Sequence, residues 1–214
     1  DNVARLKLIG EALLRYVHEN KSYHYVVDRF GRVWRVVREA DTANHAGYSV
    51  WADGQRTYVN LNRSFVGVSV EGQSRPEDGG PAATPAQAQS LRLLTEMLRS
   101  KYGIAATNCV THAQVSVNPS NLRIGYHTDW AAGFPFAETG LPDNYGLPLP
   151  ALWVFGFSYD PQLVEATGAG YWKGLLLAEE QLRQNATANG MEPARWRRTL
   201  QSRYKGVLKD LQEK

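Results

Sequence analysis

Ser22-Tyr23-His24-Tyr25-Val26-Val27-Asp28-Arg29-Phe30-Gly31 is the stretch from which the fold is read. Tyr23 to Asp28 is a β-rich run of aromatic and β-branched residues. Phe30-Gly31 supplies a turn, and Val33-Trp34-Arg35-Val36-Val37 resumes the pattern. The two runs read as a hairpin. Upstream, the spacing of Leu6, Ile9, Leu13, Leu14 and Val17 predicts a helix over Val3 to Val17 with those five on its buried face.

Downstream, residues Ala43 to Asn62 mix Gly, Asn, Ser and aromatics without clear periodicity, which predicts a long surface loop of the kind that carries function. Val66-Gly67-Val68-Ser69-Val70-Glu71-Gly72 is a third strand, apolar enough to lie centrally in a sheet. A Pro/Gly/charged loop over 73–83 follows. Thr84 then caps a helix with Pro85 at its first position. Leu91, Leu94, Met97 and Leu98 form its expected buried stripe, and Tyr102-Gly103 its end. Ala106 to Thr111 reads as a short strand that delivers His112. A turn-rich stretch runs from there to Phe136, and a Pro/Gly linker from Thr139 to Pro150. Pro161–Asn185 and Pro193–Leu211 read as two further helices. The expectation is an α/β domain over residues 1–136, with a linker and helical extension over 137–214.

The 214 residues are 43% hydrophobic and 21% charged, which excludes a disordered chain and allows a sizeable core. The net charge of +3 is too small to argue for nucleic acid. Much of the excess lies at Arg195, Arg197, Arg198, Arg203, Lys205 and Lys209. The plain reading of that run is a solvated helix face; the sharper one is an anionic wall polymer or membrane surface. The single cysteine, Cys109, forms no internal disulfide and reads as a small buried side chain. No stretch is apolar enough to cross a bilayer, and the first residues already read as helix rather than signal peptide.

Of five histidines, His112 is the strongest candidate for chemistry. It follows an apolar run and precedes a turn-rich stretch containing His127 and Asp129. Imidazole nitrogen and carboxylate oxygen both suit zinc, and a hydrolytic zinc site needs three protein ligands and an open position for water.

The opening stretch resembles the "GYHYVIDRDG" segment of the type-2 N-acetylmuramoyl-L-alanine amidases, the family of the amidase-type phage lysozymes and the peptidoglycan recognition proteins. Further pieces follow in the family's order. Asn44-His45-Ala46-Gly47 resembles "WHAG", and Asn62-Arg63-Ser64-Phe65-Val66-Gly67-Val68 resembles "N..SIGI". Thr84-Pro85-Ala86-Gln87 opens the matching helix and Tyr102-Gly103-Ile104 closes it. Thr111-His112 resembles "GH", and Asp129-Trp130-Ala131-Ala132-Gly133-Phe134-Pro135-Phe136 resembles "DPG..FPW". The resemblance spans residues 3 to 136 and implies a central mixed β-sheet flanked by helices.

It also implies a zinc hydrolase that cuts the amide between N-acetylmuramic acid and L-alanine in peptidoglycan, working in the cell envelope or secreted. His112 and Asp129 match two zinc ligands. The family's first ligand belongs to an "HHT"-like strand ahead of the first helix, and this sequence starts at that helix. Ser69 stands where some members carry a glutamate base, with Glu71 two residues on as a substitute. Tyr23 matches the tyrosine that other members place beside the metal, and His127 a donor two residues before the last ligand. His45, Trp51 and Tyr58 are expected to line the substrate groove, His24 to face away from it and His18 to lie on the surface. The other reading is a peptidoglycan-binding module without catalysis on the same scaffold.

Overall fold

The computed structural model describes residues 2–72 and 83–213. The loop expected over 73–83 therefore lies, but for Ala83, outside the described residues. In chain order the elements are α1 (Asn2–Asn20), β1 (Tyr25–Val27), β2 (Val33–Arg35), β3 (Val50–Ala52), β4 (Thr57–Val59), β5 (Val68–Val70), α2 (Pro85–Tyr102) and α3 (His112–Val115). There follow β6 (Val117–Asn118), β7 (Arg123–Ile124), α4 (Phe136–Thr139), α5 (Pro150–Phe155), α6 (Pro161–Thr167), α7 (Ala169–Ala188) and α8 (Pro193–Gln212). The fold is α/β, with a mixed sheet among helices. None of the described helices is long and apolar enough to cross a membrane.

Contacts divide the chain into two compact units. One comprises Asp1–Gly47, Asn60–Cys109 and Gly133–Asp143; the other comprises Tyr48–Val59, Val110–Ala132 and Asn144–Lys214. The chain passes between them several times, so the units do not follow a single cut at 136.

The first unit holds the sheet, ordered β2-β1-β5. The expected hairpin is present, with Tyr25 opposite Arg35 and Val27 opposite Val33. β5 runs parallel to β1, pairing Val26 with Ser69. β1, between the two, is buried at all three positions. β5 is half-buried and, among the described residues, an edge strand rather than the central strand its apolar sequence suggested. α2 packs Leu91, Leu94 and Leu98 onto Tyr25 and Val27, with Val66, Val68 and Val70 alongside. Each leucine buried this way contributes about 1.5–3 kcal/mol. Met97, expected in that stripe, is half exposed, because the i, i+3, i+7 line of the three leucines already fills the contact.

α2 starts as the sequence indicates. The Thr84 hydroxyl accepts from Gln87 N at 3.1 Å, and Thr84 N donates to Gln87 Oε1 at 2.9 Å. Gln87 is itself buried and donates from Nε2 to the carbonyl of Glu71 at 2.6 Å, fixing the helix start to the end of β5. Gly103, left-handed at φ 64°, ends the helix. On α1 the inward line runs through Leu6, Gly10, Leu13, Leu14 and Val17, while Ile9 is 46% exposed. Gly10 takes the place foreseen for Ile9 because the Glu71 carboxylate lies where a side chain would begin; a Cβ there would meet it at 3.2 Å.

In the second unit the region expected to be one long loop contains the hairpin β3–β4. Its turn opens on Asp53, whose carboxylate accepts from Gln55 N and Arg56 N at 3.0 and 2.9 Å. The helix expected over Pro161–Asn185 is two, α6 and α7, separated by Gly168 at φ 80°. Tyr171, Leu175 and Leu182 of α7, Leu152 of α5 and Tyr204 of α8 are fully buried. Arg197 of α8 donates to both carboxylate oxygens of Glu179 at 2.7 and 2.8 Å and to the carbonyl of Phe157 at 2.6 Å. The Tyr204 hydroxyl donates to the carbonyl of Tyr48 at 3.1 Å.

Candidate metal centre

The residues around His112 take a different local structure from the one their apolar run suggested. Ala106–Asn108 is a single 3-10 turn, and His112 is the first residue of the short helix α3. Thr111 and Gln114 form a capping box across that helix start, with Thr111 N donating to Gln114 Oε1 at 3.1 Å. The strand expected at Ala106–Thr111 does not form because this capping chemistry satisfies the backbone locally. The buried hydroxyl of Tyr171 donates to the carbonyl of Ala113 at 2.6 Å, holding α3 from beneath.

Asp129 returns to His112 through the hairpin β6–β7, which pairs Val117 with Ile124 and Asn118 with Arg123. The Ser116 hydroxyl then accepts from His127 N at 3.0 Å. Trp130 follows Asp129 at φ 61°, a left-handed conformation unusual for a large side chain.

Nδ1 of His112 lies 3.1 Å from one carboxylate oxygen of Asp129 and 3.2 Å from the other. The rings of His112 and His127 are stacked, their centroids 4.5 Å apart at 22°. One ligand atom from each of His112, His127 and Asp129 lies within 4.8 Å of the other two. Two ligands bonded at 2.0–2.2 Å to a tetrahedral zinc sit roughly 3.3–3.6 Å apart. The His112–Asp129 spacing of 3.1–3.2 Å lies just short of that range and suits a simple hydrogen bond. The donor set of imidazole and carboxylate fits zinc, and the half-exposed position of Asp129 leaves room for water and substrate.

Burial pushes the Asp129 carboxyl up, but the hydrogen bond and charge of His112 outweigh it and hold the group below its ordinary value. Burial, then the charge of His112, push the His127 imidazolium down against the opposing pull of Asp129. His127 is thereby biased toward the neutral ring.

The other residues singled out from sequence lie as follows. Tyr23 is a half-buried residue of the first unit, while His112, His127 and Asp129 belong to the second. His24 is 2% exposed and accepts from Gly67 N at 3.0 Å through Nδ1, the structural role foreseen for it. His18 is on the surface. His45 Nε2 lies 3.0 Å from the carbonyl of Phe65. Backbone N–H groups of His45, Ala46 and Gly47 all donate to Asn62 Oδ1, at 2.8–2.9 Å. Those bonds explain why the "NHAG" and "NRS" pieces occur together. Tyr58 is half-buried, its hydroxyl donating to Asp53 Oδ2 at 3.1 Å. Trp51 is only 2% exposed; it is a core side chain and not the groove wall expected of it. Glu71 is 5% exposed, accepts from Arg29 N at 2.9 Å and faces Gly10, a structural anchor and not a substitute base. Burial raises the Cys109 thiol above its usual value, as befits an inert side chain.

Residues 6–129 match the sequence profile of the family described as N-acetylmuramoyl-L-alanine amidase. The chain belongs to that family. It is 32% identical over 89 residues to the N-acetylmuramoyl-L-alanine amidase AmiD of Escherichia coli K12, a match covering 40% of this chain and 31% of AmiD. The chain thus spans about a third of that relative's length. It also resembles the crystal structure of AmpDH3 from Pseudomonas aeruginosa in complex with anhydromuramic pentapeptide, at 24% identity and a TM-score of 0.45, over 68% of this chain and 62% of AmpDH3. The site residues His112, His127 and Asp129 all lie within the matched family region.

Proposed function

We propose that the protein hydrolyses the amide bond between N-acetylmuramic acid and L-alanine in peptidoglycan, with zinc as cofactor, in the cell envelope or outside the cell. The observation that carries this reading is the convergence of His112 and Asp129, with His127 beside them, in a chain of the amidase family. AmiD carries the same activity in its name.

His112 and Asp129 would hold the ion, with the His127 ring stacked on that of His112 beside them. The chemistry such a site supplies when zinc is bound is Lewis acidity toward a carbonyl oxygen and water acidified to a pKa of about 7. The chain's own residues do the rest. Asp129, its carboxyl held below its ordinary value, keeps its negative charge near neutral pH. His127 sits beside the reacting carbonyl and donates a hydrogen bond to the oxyanion that forms there. Water adds to the lactyl carbonyl, the C–N bond breaks, and the alanine nitrogen leaves with a proton. The products are a muramic acid carboxylate and a stem peptide with a free L-alanine amino terminus. Tyr58, in the same unit as His112 and Asp129, is assigned to substrate contact.

Digestion of purified cell-wall sacculi tests this. End-group labelling should reveal new amino-terminal L-alanine on released peptides, and the Asp129→Ala variant should release none. Peptides that emerge still joined to muramic acid, or sacculi bound but uncut by zinc-loaded protein, would contradict it; the second result would identify a binding module.

A further inference from the structure

The basic run near the C-terminus is divided by the fold. Arg197 points inward and is consumed by Glu179 and Phe157. Arg195, Arg198, Lys205 and Lys209 are exposed, as is Ser202. At 100° per residue these five positions fall within a sector of about 80° on α8, and the line from 195 to 209 is about 21 Å long. Arg203 flanks it. The ion pairs formed on α8 are Arg197 with Glu179 and, at 3.7 Å, Lys209 with Glu213; among the described residues none reaches Arg195, Arg198, Arg203 or Lys205. Acids sit at the two ends of the line, Glu192 at the helix N-cap and Asp210 and Glu213 beyond Lys209.

The same face lacks apolar side chains. Leu200 and Tyr204 are buried, and Val207, Leu208 and Leu211 are half-buried on the opposite side of the helix. A helix that inserts into a lipid interface needs exposed apolar residues beside its cations, and α8 presents Thr199, Ser202 and Gly206 there instead. A strip of cations one side chain wide, with hydroxyls between, complements a linear chain of regularly spaced anions. Two of the cations are guanidinium forks, which match phosphate oxygens in pairs.

We propose that the outer face of α8 is a docking strip for a linear polyanion carrying phosphodiester groups, separate from the hydrolytic site. Such a strip would hold the protein on an anionic wall polymer by charge alone, so binding is weakened by salt and insensitive to the state of His112 and Asp129.

Long-chain inorganic polyphosphate is the probe, with poly-L-glutamate of equal charge and phosphatidylglycerol vesicles as the other arms. Polyphosphate should bind most tightly, with log affinity falling against log salt at a slope of about −3 for four cations on a flexible single-stranded polyanion. Replacing Arg195, Arg198, Lys205 and Lys209 together by Gln should weaken binding more than tenfold at low salt and flatten the slope. Replacing Arg5, Lys7, Arg15 and Lys173 by Gln, an equal loss of charge elsewhere, should leave binding within about twofold. The Arg195→Lys/Arg198→Lys variant should keep the slope. Equal losses in the two quadruple variants, or tighter capture by the vesicles or by poly-L-glutamate, would overturn the proposal.

Discussion

Nδ1 of His112 stands almost equally far, 3.1 and 3.2 Å, from the two carboxylate oxygens of Asp129, although seventeen residues separate them in the chain. The hairpin β6–β7 and the capped start of α3 create that closeness. Removal of either side chain should weaken zinc binding beyond the ~10–100-fold that loss of an outer-shell partner costs. Competition with a chelator measures it, comparing His112→Ala and Asp129→Ala with the parent.

His127 separates two roles. As an oxyanion donor, its replacement by Ala should leave zinc affinity within about tenfold while lowering kcat by ~10²–10³. Loss of zinc in parallel with loss of rate would make it the third ligand instead.

Asp28 organises the turn after β1. Its carboxylate accepts from Phe30 N, Arg32 N, Arg32 Nε and Trp34 Nε1 at 2.6–3.0 Å. Burial pushes this carboxyl up, and the bonds from Trp34, Arg32 and Phe30 outweigh it and hold it below its usual value. A depressed pKa gives stability that is present above the unfolded carboxyl value near 3.9 and lost as pH falls through the folded value. Asp28→Asn should cost about 1.5–3 kcal/mol at neutral pH and flatten the acid limb of stability below pH ~4, read by urea unfolding across pH.

Gly67 has no room for a side chain. A Cβ there would lie 2.5 Å from the His45 ring. Gly67→Ala should therefore cost about 1–3 kcal/mol, and adding His45→Ala should recover part of it. Thermal unfolding of the two single variants and the double variant measures the coupling.

Arg197 and Glu179 are largely enclosed, with side chains 22% and 18% exposed. Arg197→Met should destabilise the protein by roughly 2–4 kcal/mol because Glu179 loses its counter-charge. Glu179→Gln in the same chain should restore part of that loss in a double-mutant cycle by urea unfolding.

The parts legible in the sequence were those written in local chemistry. The β1–β2 hairpin followed from aromatic and β-branched runs around a Gly turn, and α2 from Thr84, Pro85 and Gly103. His112 and Asp129 came from the order of the motifs, since neither residue has a local signature of its own. The hairpin β3–β4 was also signalled, by Asp53-Gly54 between Val50-Trp51-Ala52 and Thr57-Tyr58-Val59, but the Gly and Asn residues around it concealed a two-residue alternation only three residues long. Its recognition would have placed Trp51 in a core. The apolar run before His112 suggested a strand because hydrophobicity alone does not distinguish a strand from a capped turn. Thr111 with Gln114 carried the deciding signal. The break at Gly168 is a local backbone turn at φ 80°, whereas the exposure of Ile9 and Met97 depends on tertiary contacts, where Gly10 against Glu71 and the three leucines of α2 fill the buried face.

The most direct measurement is hydrolysis of a muramyl tripeptide by the zinc-loaded protein in ¹⁸O-water, followed by mass spectrometry. The account predicts one heavy oxygen in the lactyl carboxylate, an unlabelled peptide beginning with L-alanine, and no reaction with Asp129→Ala. Label in a peptide carboxylate, or cleavage that persists in Asp129→Ala, would contradict it.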